Sequence, residues 1–164
     1  MNGYEIGEFK NNLIRKIINS AEARKLLDPN GNCEYPDELL YKYIFPYGRI
    51  PDTEEEVGTY IAIKVHVPSI GARNDTIRNV RIEIRIYAHH DLMRVAGQSV
   101  DRIDMLSAVV DELINETMDF GIGPLRLESN TEHILDSKHS YREMFFRTDA
   151  INSQRDGVRQ WEPN

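Results

Sequence analysis

The side chains that could bind a metal are the first to consider. His89-His90-Asp91 sets two imidazoles and a carboxylate in succession. Adjacent residues on a strand point to opposite faces, so His89 and His90 cannot easily share one ion. His66 is expected across the hairpin from this end, and a shared site would have to be assembled from different strands. Histidines at strand ends serve equally well as polar surface, and no metal ligand is assigned. A hairpin nuclease needs a carboxylate two places before a strand lysine, to hold a hard cation beside the phosphate. Pro51-Asp52 precedes Lys64, but the position that matters is occupied by Ala62. Cys33 lies among Asn30, Gly31, Asn32 and Glu34, with no basic neighbour in sequence to favour a thiolate. The sequence contains no G-x-x-x-x-G-K-[ST] phosphate loop, no G-x-G-x-x-G turn and no G-x-S-x-G elbow. Neither a catalytic residue nor a cofactor site is expected.

The remaining charged constellation belongs to a surface. Arg81, Glu83 and Arg85 alternate in sign along one strand, and Lys64 lies on the matching face of another, near Tyr60 and Tyr87. Such a row has two readings. Cross-strand pairs within one chain stabilise by about 0.2–1 kcal/mol each. The same row could instead fix the register of a neighbouring copy through charge complementarity. A second constellation is aromatic: Tyr41, Tyr43, Phe45 and Tyr47 are concentrated between prolines and glycines. It either folds back as a satellite core or forms a surface covered by another subunit, where tyrosine is enriched.

The elements that position these groups follow from periodicity. Ile6, Phe9, Leu13, Ile14, Ile17, Ile18 and Ala21 recur at helical spacing, and Asp28-Pro29-Asn30-Gly31 stops the pattern. Residues 29–58 have no clean period and read as a long loop, with a short helical turn between Asp37 and Tyr43. Its acidic run, Asp52 to Glu56, reads as a solvated turn. Ile61, Ile63, Val65 and Val67 alternate with Tyr60, Ala62, Lys64 and His66; Val80 to Ala88 repeats the alternation. These two strands form a hairpin with one buried face, closed by a turn in Pro68 to Thr76. Ser99 is a candidate N-cap for a second helix, with the stripe Ile103, Leu106, Val110 and Leu113 and with Asp101 and Asp104 near its start. After Gly121-Ile122-Gly123-Pro124, Leu125 to Glu128 and Tyr141 to Thr148 read as two further strands, separated by the polar stretch Ser129 to Ser140. The expected class is α+β: one small mixed or antiparallel sheet of about four strands under two main helices, in α-β-β-α-β-β order.

The chain has 164 residues, enough for one domain and cramped for two. The domain is expected over residues 1–151, with 29–58 inserted and 152–164 as an extended polar tail that cannot build a core. Trp161, the only tryptophan, marks that tail for partner contact. A formal net charge of −7 argues against a protein that coats nucleic acid, because duplex phosphates would repel it. No apolar run approaches the ~20 residues of a membrane span, and Met1-Asn2-Gly3-Tyr4-Glu5 lacks the blocks of a signal peptide. Cys33 is the sole cysteine, so no intrachain disulfide forms and a reducing compartment is expected.

This layout resembles the tail terminator proteins of tailed bacteriophages. The resemblance is carried by Val80-Arg81-Ile82-Glu83-Ile84-Arg85-Ile86-Tyr87 leading into His89-His90-Asp91, by Asp101-Arg102-Ile103-Asp104-Met105-Leu106, and by Tyr141-Arg142-Glu143-Met144-Phe145-Phe146-Arg147-Thr148-Asp149. It covers roughly residues 4–149; the 29–58 insertion and the C-terminal tail depart from the compact members. The resemblance implies a structural virion protein made in the host cytoplasm, with no chemical step and no membrane. It would close as a hexameric ring on the tail tube and offer its other side to the head-closure or neck protein, with possible sheath contacts. DNA would pass the lumen without specific binding. Lys64, Arg81, Glu83, Arg85, Tyr41, Tyr43, Phe45, Tyr47 and Trp161 would then lie at subunit or ring contacts. The alternatives are another neck component, such as a head-closure or tail-completion protein, and a small metal- or ligand-binding enzyme using the His66/His89/His90 region.

Overall fold

The computed structural model describes residues 3–52, 56–67, 77–120 and 123–151. The fold is α+β, with three helices on a five-stranded mixed sheet. Its N-terminal apolar pattern is split between two helices, α1 (Gly3–Asn19) and α2 (Ala21–Leu27), where one continuous helix was expected. The break is at Ser20, whose extended backbone (φ −76°, ψ 120°) and hydroxyl cap a new start by accepting from the Ala23 N–H at 3.2 Å. The break resets the helical phase. Ala21, expected in the stripe, is exposed, and Ala23, Leu26 and Leu27 are buried instead.

The segment after α2 is more structured than its missing period suggested. Asp28 fastens it: one carboxylate oxygen accepts the Cys33 N–H at 2.7 Å, and the other accepts the Tyr43 hydroxyl at 3.3 Å. Burial alone would raise the Asp28 pKa, but the Asn32 and Cys33 N–H groups and Tyr43 hold it below the ordinary carboxylate value. A 3₁₀ turn, Pro36–Leu39, replaces the turn expected at Asp37 to Tyr43. The short strand β1 (Ile44–Phe45) then adds a fifth strand, parallel to β2 (Thr59–His66). Two residues are too few for an alternation to be visible in sequence.

β2 pairs antiparallel with β3 (Ile77–His89), the expected hairpin; its connecting turn, 68–76, lies outside the described residues. Helix α3 (Arg102–Ile114) follows, with Asp101 in the N-cap position rather than Ser99. Strands β4 (Arg126–Ile134) and β5 (His139–Ile151) close the sheet in the order β1-β2-β3-β5-β4. The polar stretch Ser129 to Ser140, expected between two strands and partly structured, is mostly strand: β4 runs on to Ile134 and β5 begins at His139. Its polarity reflects exposure at a sheet edge, where Asn130, Thr131 and Glu132 face solvent.

All three helices lie on one side of the sheet. That side carries Ile61 and Ile63 from β2, Val80, Ile82, Ile84 and Ile86 from β3, and Met144 and Phe146 from β5, all essentially inaccessible. Arg142 reaches from this face to Asp104 of α3, and the Asn130 amide donates to Ser107 of the same helix at 3.4 Å. Phe9, Leu13, Ile17, Ile103, Leu106 and Val110 close the core from the helix side.

Arg102 at the start of α3 is buried, and its hydrogen bonds go to carbonyls. Its Nε donates to Leu92 O at 2.6 Å and its Nη1 to Leu26 O at 2.7 Å, tying the C-terminal end of α2 to the start of α3. The negative end of the α2 dipole favours the cation there. Replacing Arg102 with Met should keep the volume but leave the buried Leu26 carbonyl and the part-buried Leu92 carbonyl without this donor. We expect a loss of about 1–3 kcal/mol in urea unfolding, with unchanged far-ultraviolet circular dichroism of the folded protein.

Candidate functional site

The face of the sheet turned away from the helices carries every sheet residue singled out above for interaction. Period-two alternation puts Tyr60, Ala62, Lys64 and His66 of β2 there, with Arg81, Glu83, Arg85, Tyr87 and His89 of β3. His139, Tyr141, Glu143, Phe145 and Arg147 of β5 complete it. One end of this face is aromatic and roofed; the other is charged and open.

The roof is built from residues 46–52 and 56–58, between β1 and β2. Lys10 of α1 donates to Pro46 O at 2.7 Å, and the segment then crosses to the outer side. The Arg49 guanidinium lies 4.2 Å from the Phe45 ring centroid and 5.4 Å from that of Tyr60, and its own charge is paired with Glu56. His139 Nε2 donates to Glu56 O at 3.1 Å. Beneath this cover Tyr87 and His139 are almost inaccessible. Burial pushes the Tyr60 and Tyr87 hydroxyls above the ordinary tyrosine range.

The aromatic cluster is therefore divided between a satellite core and exposed surface. Phe45 is buried, and Tyr43 stacks on Tyr60 at 6.3 Å with its hydroxyl on Asp28: these two belong to a satellite core. Tyr41 and Tyr47 are 61% and 48% exposed, with ring centroids 6.4 Å apart, and form surface. Tyr41 has φ +64°, in the left-handed region that a side chain with a Cβ seldom adopts. A bulky residue held there and pointed at solvent is a feature that sequence reading could not detect.

The charged row closes mainly on its own chain. Glu83 is buried, and its Oε1 lies 2.8 Å from Lys64 Nζ and 2.7 Å from Arg85 Nε. Its Oε2 meets His66 Nε2 at 3.1 Å. Arg85 also donates to Glu143 at 2.9 Å. Lys64, Glu83 and Arg85 thus form one intrachain network, which matches the cross-strand reading. Arg81 lies further out, 4.0 Å above the Phe145 ring and half exposed. Trp161 lies outside the described residues, as do residues 53–55 of the acidic run.

His66 does not join the His89–His139 pair, whose rings meet edge-on at 4.9 Å. The register sets His66 opposite Arg81, whereas His89 lies opposite His139, at the other end of β3. The expectation that His66 faces the His89 end is corrected: the antiparallel hairpin runs His66 toward its turn. His89 Nδ1 accepts the Asp91 N–H at 3.1 Å, and the His90 ring lies 3.0 Å from the Ser140 hydroxyl. Among the described residues, no three His, Cys, Asp or Glu side chains are grouped to hold a metal, and no helix is long and apolar enough to cross a membrane. Burial pushes the Cys33 thiol up; the Lys42 ammonium opposes that shift, and the Asp28 and Glu38 carboxylates add to it.

Burial alone would raise the Glu83 pKa. The Lys64 ammonium, His66 and the Arg85 guanidinium more than offset it and hold the carboxyl below its ordinary 4.5. A depressed folded-state pKa stabilises the fold above the unfolded value, and that contribution is lost as pH falls through the folded one. Glu83→Gln should therefore lower stability by about 1–3 kcal/mol at neutral pH, and less below about pH 4.5. Thermal unfolding of both proteins from neutral pH down to acid checks this; equal losses at every pH would contradict it.

Comparison with curated proteins finds no significant match. The YomW family model matches residues 11–148, from within α1 to within β5. The family is phage-associated and takes its name from a gene in the Bacillus phage SPBeta region. A match spanning every strand of the sheet and the helices that cover it assigns the whole folded unit, and the chain belongs to the YomW family.

Proposed function

We propose that the chain is a structural virion subunit, a tail terminator that closes as a ring on the tail tube and presents the docking surface for the head or neck connector. The observation that carries this reading is the phage-associated family match across the folded unit. The geometry supports it in two ways. The sheet keeps one face free of helices and leaves its charged end open, as a subunit that packs side by side requires. Tyr41, whose exposed ring lies beside that of Tyr47, sits on a backbone conformation that costs of order 1 kcal/mol, and such strain persists where function requires it. A ring of this kind stops polymerisation by binding the growing face of the tube and offering a different upper face. Its closure follows from heterologous contacts whose rotation closes. The role is mechanical, and the net charge of −7 suits a lumen that passes DNA without holding it.

Tyr41→Gly separates folding from assembly. Glycine relieves the left-handed strain, so the melting temperature should be unchanged or higher. Loss of an exposed aromatic anchor should weaken ring formation on purified tail tubes about tenfold or more, and Tyr47→Ala should act in the same direction. Native mass spectrometry and electron microscopy of the assembled particles read both effects. Wild-type assembly by both variants would remove the tyrosine pair from the contact. Density for the chain in a ring that does not touch the tube would reassign it to head closure or tail completion.

A further inference from the structure

We propose that the arginines at the open end of the outer sheet face receive a carboxylate-bearing segment of a partner protein. Two guanidiniums there are oriented by neutral groups. Arg147 donates to Asn79 Oδ1 from Nε at 3.1 Å and from Nη2 at 2.6 Å. Arg81 is held over the Phe145 ring at 4.0 Å. Neither anchor cancels the charge it positions. Among the described residues, the carboxylate shared by both is Glu128, in long ion pairs of 3.5 Å to Arg81 Nε and 4.0 Å to Arg147 Nη1. The Glu83 pairs a few residues away close to 2.7 and 2.8 Å.

The surface is concave on both sides of this group. A cleft of about 430 Å³ is lined by Asn79, Arg81, Glu128 and Arg147. A second, of about 460 Å³, shares Glu128 and Arg147 and adds Arg126, Thr148 and Asp149 to its wall. Arg126 meets Glu116 only at 3.5 Å. The planar fork of arginine matches a carboxylate in two parallel hydrogen bonds, and a fork already oriented loses less freedom on binding. Glu128 marks the chemistry the cleft accepts: it is a carboxylate of the chain itself, held loosely enough to be displaced. The cleft walls also carry Glu128 and Asp149, which disfavours a polyphosphate strand and favours a protein acid of lower charge density. The site is complete in one subunit, so the proposal goes beyond the ring reading and does not depend on it.

Fluorescence anisotropy of the full chain with a labelled oligoglutamate peptide tests the proposal, with duplex DNA of equal charge as competitor probe. The peptide should bind in a salt-sensitive manner. Arg147→Gln and Arg81→Gln should each weaken binding about tenfold or more. Glu128→Gln should tighten it several-fold, because the internal competitor is removed; a purely structural Glu128 would give no gain. If an arginine variant fails to fold by circular dichroism, the Glu128→Gln comparison decides alone. Absence of peptide binding by both wild type and Glu128→Gln would overturn the proposal. So would unchanged or weaker binding by Glu128→Gln, or DNA binding as tight as the peptide.

Discussion

β3 and β5 share a ladder from Ile77 opposite Ile151 to His89 opposite His139, and its period of two governs the rest of the molecule. Each residue sent to the helices forces its neighbour onto the other face. Ile82, Ile84 and Ile86 fill the core, so Glu83 and Arg85 must occupy the side that no helix covers. Glu83 is nonetheless desolvated by its neighbours. A buried carboxylate is tolerated only where cations meet it at hydrogen-bond distance. Lys64, Arg85 and His66 do so, and each comes from β3 or from the strand paired with it. The network thus adds a register signal: a slip of one residue would both expose the isoleucines and leave Glu83 buried without a cation.

The outer face is divided by what the chain between β1 and β2 can reach. The described part of that segment returns to Phe45, Tyr60 and His139, through the Arg49 stacking and the Glu56 carbonyl. It stops short of the end where Arg81 and Arg147 stand about half exposed.

The sequence made the long periodic pieces legible. The isoleucine alternation in β2 and β3 and the stripe of α3 are repeated often enough for chance to be small, and the polar row on one strand face follows from that alternation. The break at Ser20 was hidden because Ala21 extends the apolar period through it; one capping hydroxyl outweighed one alanine. β1 was hidden because two residues carry no period. The start of β4 was legible at Leu125 to Glu128, but its continuation to Ile134 was hidden because an edge strand with polar residues on both faces carries no apolar alternation. The placement of His66 required the direction of a hairpin in addition to its existence. The left-handed Tyr41 could not be read at all, since tyrosine carries no local signal for that conformation.

Tyr41 also bears on how folding and association divide the surface. A tyrosine kept at φ +64° with its ring 61% exposed works against the stability of the isolated chain on both counts. Its backbone N–H does donate to Ile44 O at 2.8 Å, so the turn itself is needed to launch β1. Glycine would make that turn without the steric cost, and the turn therefore does not account for the side chain. What remains is the ring, set beside that of Tyr47 at the margin of the sheet. Exposed aromatic area costs free energy that burial would recover, and the proposed ring assembly is one arrangement that would bury it.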